Sequence, residues 1–195
     1  TLVFLYSTGT YDDNGFQPQQ AGKLAGLEVD YVEGRAKSVL RRVQGDDELL
    51  QGLPDYYSFG FAEPTDLLMF PQVKGDGVKA LFTINESGTP GFVRRRFDDW
   101  TAVYTSAPGL PTPVLRNLAR ANGLHIYNEA VGDTSYAAKD FLALHTLVGG
   151  RRVLNAPEGT SSATNLVTGE TYPVRQGKIS LEIPLSSTTI LKFNR

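Results

Sequence analysis

From Gly123 to the C-terminus the sequence is a succession of short strand-like runs: LHIYN, TSYAA, FLALHTL, RRVLNA, ATNLV, TYPVR, KISLEI and TTILKF. Turn signals lie between them: VGD, GG, PEGTSS, TGE and RQG. Runs this short, with no helical period between them, fold as antiparallel sheets packed on one another. KISLEI carries the pattern most cleanly. Ile179, Leu181 and Ile183 fall on one face, Ser180 and Glu182 on the other. Residues 123–195 are therefore expected to form a small antiparallel β-domain, a sandwich in its simplest form.

The preceding residues, 1–122, read as α/β. TLVFLY (1–6) is a short apolar strand, followed by the polar loop STGTYDDNGF. PQQAGKLAG (18–26) has Pro18 where a helix begins and Gly26 where one stops. LEVDYVEG (27–34) alternates like a strand, and AKSVLRRV (36–43) fits helix and strand equally badly. VKALFTI (78–84) is a strand, NESGTPG (85–91) a turn, and 91–107 two short strands joined through Asp98 and Asp99. LPTPVLRNLARANG (110–123) is the clearest helix. Thr112 stands at its N-cap, Leu115, Leu118 and Ala119 form its apolar stripe, and Gly123 is its stop.

Composition excludes several functions. The chain has 195 residues and a net charge of -2, so there is no global pull toward nucleic acid or an anionic membrane. The run Arg94, Arg95, Arg96 is followed at once by Asp98 and Asp99 and reads as a solvated strand face. With no cysteine there is no disulfide, thiolate metal site or cysteine nucleophile. The compartment, cytoplasmic or secreted, stays open. No apolar stretch has the roughly 20 residues of a membrane span. TLVFLY opens the chain inside an apolar strand, which suggests one piece of a longer protein.

Catalytic and binding motifs are sparse. STGTYDDNG and VKGDGVK lack the glycine spacing of a phosphate cradle, and NESGTPG lacks that of a nucleophile elbow. Asp12, Asp13, Glu28, Asp30, Glu63, Asp66, Glu129 and Asp133 are the carboxylates weighed for a glycosidase pair, and none stands out from loop or strand surroundings. The only histidines are His125 and His145. His125 shares a strand face with Tyr127, and His145 shares one with Phe141 and Ala143. With Asp133 they form a candidate binding or hydrolytic site, though two histidines alone do not hold a structural metal. Trp100, Tyr104 and Tyr127 are candidates for stacking on a sugar ring. No metal or cofactor is expected.

The segment LPTPVLRNLARANGLHIYNEAVGDTSYAAKDFLALHTLVGGRRVLNAP (110–157) resembles the C-terminal region of bacterial proteins related to the glycoside hydrolase family 42 beta-galactosidases. It is similar at Leu115, Arg116, Leu118, Ala119, Gly123, His125, Ile126, Tyr127, Asp133, Tyr136, Phe141, His145, Gly150 and Arg151. TNLVTGETYPV, WTAVYTSAPGLP and TLVFLYSTGTYDDNG match further pieces of that pattern. The resemblance implies a partial flavodoxin- or amidotransferase-like α/β trimerisation domain over 1–122 and a C-terminal β-domain over 123–195. It also implies that the catalytic barrel with its two glutamates lies outside this chain. On this reading the chain is a non-catalytic portion of a larger glycosidase-like protein. Its partners would be further copies of itself, a trimer among them, or the catalytic part of the same protein. Carbohydrate is the candidate small ligand.

Overall fold

The computed structural model describes residues 1–84 and 87–195, and its elements are strands almost throughout. It divides into two units, Thr1–Asn122 and Gly123–Arg195. The first holds β1 (Leu2–Leu5), the small hairpin β2 (Tyr11–Asp12) and β3 (Gly15–Phe16), and the long strands β4 (Val29–Arg42) and β5 (Ser58–Pro71). β6 (Val78–Ile84), β7 (Thr89–Arg96) and β8 (Thr101–Thr105) follow, then one α-helix, α1 (Thr112–Ala121). Six strands form one sheet in the order β1-β8-β7-β6-β4-β5, in which only the β1–β8 pair is parallel.

The expected α/β architecture of this unit is corrected by these pairings. It is a mostly antiparallel sheet with a single α-helix among the described residues. The segment 18–26 makes two 3-10 turns, Pro18–Gln20 and Lys23–Ala25, and Gly22 and Gly26, both in the left-handed conformation, cap the second at its start and its end. Nine residues so interrupted do not sustain an α-helical nucleus. The ambiguous AKSVLRRV joins the strand before it to make the fourteen-residue β4, which β5 pairs along its length. The turn expected at 85–91 falls partly on residues 85 and 86, outside the described residues; Thr89–Gly91 already belong to β7.

The sheet buries apolar side chains on both faces. On one, Phe92 and Val103 pack with Leu40, Leu81 and Phe82, beneath Leu49 and Leu50 from a 3-10 turn and Val114 and Leu118 from α1. Asn117 ties these together by donating to the carbonyls of Leu49 and Gln51, at 3.0 and 2.8 Å. On the other, Val93, Ala102 and Tyr104 pack under Ala21, Ala25, Leu27, Val29 and Met69. The helix begins one residue earlier than its sequence suggests. Pro111 holds the N-cap, Thr112 is the first helical residue, and Leu115 is exposed while Val114 takes its place in the core.

Val29 and Met69 belong to the β4–β5 ribbon, so that end of the sheet curls over its own face. Tyr6 joins the two ends. It follows β1 on one edge and donates from Oη to the carbonyl of Leu67, on β5 at the opposite edge, at 2.6 Å. Tyr104, fully buried, donates in turn to the carbonyl of Tyr6, and burial pushes its phenol far above the usual range.

The second unit has two antiparallel sheets. β9 (Asp133–Ala138), β10 (Phe141–Thr146), β12 (Ser162–Asn165), β13 (Thr171–Pro173) and β15 (Ser187–Asn194) form one, in the order β13-β12-β15-β10-β9. β11 (Gly150–Asn155) and β14 (Lys178–Ile183) form the other. Between them lie Leu142, Leu144, Leu154, Ala163, Ile179, Leu181, Ile183, Leu191 and Phe193. The burial of β14 alternates as KISLEI requires. LHIYN, by contrast, forms no strand: it lies along the end of β11 through an isolated bridge between Asn128 and Leu154 and through bonds to Asn155.

If the Tyr6 hydroxyl holds the curl, Tyr6→Phe lowers the stability of the first unit by about 1–2 kcal/mol. The urea midpoint read from Trp100, the sole tryptophan, measures this. Tyr11→Phe, at an exposed ring, leaves that midpoint unchanged.

Candidate functional site

Asp133 is a buried, multiply hydrogen-bonded carboxylate of the second unit. It opens β9, and its carboxylate, 1% exposed, faces inward. Arg152 lies on β11 on the same side as buried Leu154, because alternate residues of GRRVLN face the core. Its guanidinium clasps Asp133 in two places, Nε to Oδ2 at 2.7 Å and Nη2 to Oδ1 at 3.0 Å. Nη2 also donates to the Thr146 hydroxyl at 3.0 Å and the Val148 carbonyl at 2.6 Å. Asn128 donates to Asp133 Oδ2 at 2.9 Å and accepts from the Ala130 amide. The hydrogen bonds from Arg152 hold the Asp133 carboxyl down at about 2, against burial, which raises it; Thr146 and Asn128 add to the lowering.

A carboxylate held this way is a poor acid or base near neutrality. Its two oxygens are already engaged by Arg152 and Asn128, and the arrangement acts as a clasp between β9 and β11. Arg152 is the residue that sequence reading missed. Its signal was available: a cation falling on the apolar face of an alternating strand needs a buried anion.

The two histidines do not join Asp133. His125 is exposed, and its Nε2 lies 3.0 Å from the carbonyl of Asn155. Its ring stands edge-on to Tyr127, at 4.5 Å between centroids and 85° between planes. His145 lies on the outer face of β10, with Nδ1 2.9 Å from the hydroxyl of Thr188, its partner on β15. Phe141 and Ala143 share that face. Among the described residues no three histidine or acidic side chains gather as metal ligands.

The aromatic candidates are dispersed as well. Trp100 stacks on Phe97 with centroids 4.3 Å apart and planes at 6°, and Arg95 covers the Phe97 ring at 4.6 Å. Tyr104 is wholly inside the first unit, and Tyr127 packs in the second unit against Phe193. Of the other carboxylates weighed from sequence, Asp12 accepts from Gln20, Asp30 from Gln72, Glu28 pairs with Lys74 and Asp66 stands 4.0 Å from Arg35, all at the surface.

Protonation of Asp133 links this clasp to pH. Its folded value is depressed, so its contribution is complete above the ordinary carboxylate range and disappears as pH falls from about 4 to about 2. The amount is on the order of 2 kcal/mol. Asp133→Asn removes that pH dependence and lowers the stability of the second unit by about 3 kcal/mol. Hydrogen exchange of the β10 and β15 amides across pH 2–5 measures both.

No family model matches the chain, and no curated protein matches it. Solved structures do. A beta-galactosidase from Bacillus circulans sp. alkalophilus has a TM-score of 0.62 at 18% identity, covering 98% of this chain and 29% of that one. A beta-galactosidase from a Rahnella species matches with a TM-score of 0.62 at 16% identity, over 97% of this chain and 28% of that one. A GH42 beta-galactosidase from G. stearothermophilus matches with a TM-score of 0.58 at 13% identity, over 100% of this chain and 28% of that one. The chain therefore spans less than a third of the length of these structures, and across both of its units it has the fold of the corresponding part of beta-galactosidases.

Proposed function

We propose that this chain is a non-catalytic portion of a larger GH42-like, beta-galactosidase-related protein, where it supports assembly and braces the catalytic part. One observation carries the reading. Three beta-galactosidase structures cover almost all of this chain in a single match, while it covers under a third of each of them. The likeness of 110–157 and of the TGE hairpin to the family pattern supports the same assignment from the side of sequence.

The chemistry of the second unit agrees with a bracing role. The most strongly perturbed carboxylate, Asp133, is locked into an ion pair that fastens two strands. Strand β1 supplies a surface for assembly. Leu2, Val3 and Leu5 are 56, 41 and 37% exposed on an edge strand, and apolar side chains on an unpaired edge favour contact with a partner. That partner is a further copy of the chain, with a trimer as the specific expectation, or the remainder of the same protein.

Two measurements test this. Light scattering on the 195-residue chain is expected to give a concentration-dependent oligomer, with a trimer as its limit, and Val3→Lys with Leu5→Lys should return it to monomer. A monomer at every concentration overturns the assembly role. The same preparation is expected to leave nitrophenyl galactosides intact; turnover that a single side-chain substitution abolishes overturns the non-catalytic reading.

A further inference from the structure

The turn Arg175-Gln176-Gly177-Lys178 places two cations side by side. Gln176 and Gly177 both have positive φ, 51° and 72°, which makes the two-residue loop of a tight hairpin. Arg175 and Lys178 close it with reciprocal backbone hydrogen bonds of 2.9 and 3.0 Å. Residues paired in this way project to the same face, and like charges directly opposite one another destabilise a hairpin.

A third cation meets them. Arg151, on the outer face of β11, donates from Nε to the Ser180 hydroxyl at 2.8 Å, two residues along β14 from Lys178. Together Arg151, Arg175, Lys178, Ser180, Val153 and Pro173 line a concavity of about 360 Å³ that has no carboxylate in its wall. Glu182 stands across from Arg151 in the register, outside that wall. None of the three cations makes an ion pair among the described residues. The contrast with Arg152, the next residue along, is direct, since that one is matched to a buried carboxylate.

We infer that this concavity is a binding site for an oxyanion carried on a sugar ring: a sulfate, phosphate or carboxylate group of an acidic saccharide. Two guanidinium groups and an ammonium offer charge-assisted donors to such oxygens. Val153 and Pro173 offer the apolar floor on which a ring rests. An anion placed there relieves the repulsion that the hairpin builds in. The saccharide part of this inference rests on the glycosidase-related reading above; the charge cluster does not.

Calorimetric titration of the 195-residue chain at low salt tests it, with galactose 6-sulfate, galactose 6-phosphate, galacturonate, neutral galactose and sodium sulfate as probes. At least one acidic sugar is expected to bind about tenfold or more tightly than either neutral galactose or inorganic sulfate. Raising the salt weakens it. Arg175→Gln with Lys178→Gln removes the preference without lowering the stability of the second unit, because it removes a repulsion. No saturable binding of an acidic sugar, equal binding of neutral galactose or of inorganic sulfate, or undiminished binding by the double variant each overturns the site. Because oligomer formation is measured separately, a chain that assembles but binds no acidic sugar sinks this inference alone. One that binds acidic sugar but stays monomeric sinks only the assembly role.

Discussion

The first unit is governed by a sheet that has to be dry on both sides with one α-helix to cover it. Phe92 and Val103 point one way, Val93, Ala102 and Tyr104 the other, and all five are buried. In a parallel sheet helices cover both faces. Here α1 and the 3-10 turn at Glu48–Leu50 serve one face, and the sheet covers the other with its own β4–β5 ribbon and the short turns at 18–25. The bond from Tyr6 to Leu67 is where this solution is fastened, edge to edge. Tyr6 itself is held at a φ of +48°, a conformation that non-glycine residues adopt at an energetic cost. The surrounding bonds, including the one Tyr104 makes to its carbonyl, hold it there.

Charge placement in the second unit follows strand alternation. Arg151 and Arg152 are neighbours in sequence, yet one faces solvent beside Ser180 and the other enters the core beside Asp133. The inward cation is fully matched, and the outward one joins two others with no carboxylate in the wall they share. The fold thus separates a structural arginine from one free to meet a ligand by a single residue step.

These features were unequally visible in sequence. The alternation of KISLEI, the helix ending at Gly123 and the hairpin through Asp98 and Asp99 are local, and periodicity and turn chemistry reveal them. The α/β expectation for 1–122 failed for a physical reason. Continuous apolar runs report that both faces are buried, and do not say whether helices or the sheet's own curl do the covering. Gly22, left-handed in the middle of 18–26, is the sign that this segment makes tight turns instead of an α-helix. At the candidate site, Asp133 was singled out beside two histidines, whereas its real company is Arg152, Asn128 and Thr146, from separate segments. Side-chain pairing across such distances leaves no spacing signature.

The clasp on Asp133 also bears on how β9 finds its place. β9 is the outermost strand of its sheet and is held along one side only, by β10. Such a strand can slide by one position with little loss of backbone bonding. A slide here would bring Thr134 to the guanidinium and leave the largely buried Arg152 without its carboxylate, a cost on the order of 3 kcal/mol. A single ion pair, formed by the first residue of the strand, thereby rejects the shifted alignment.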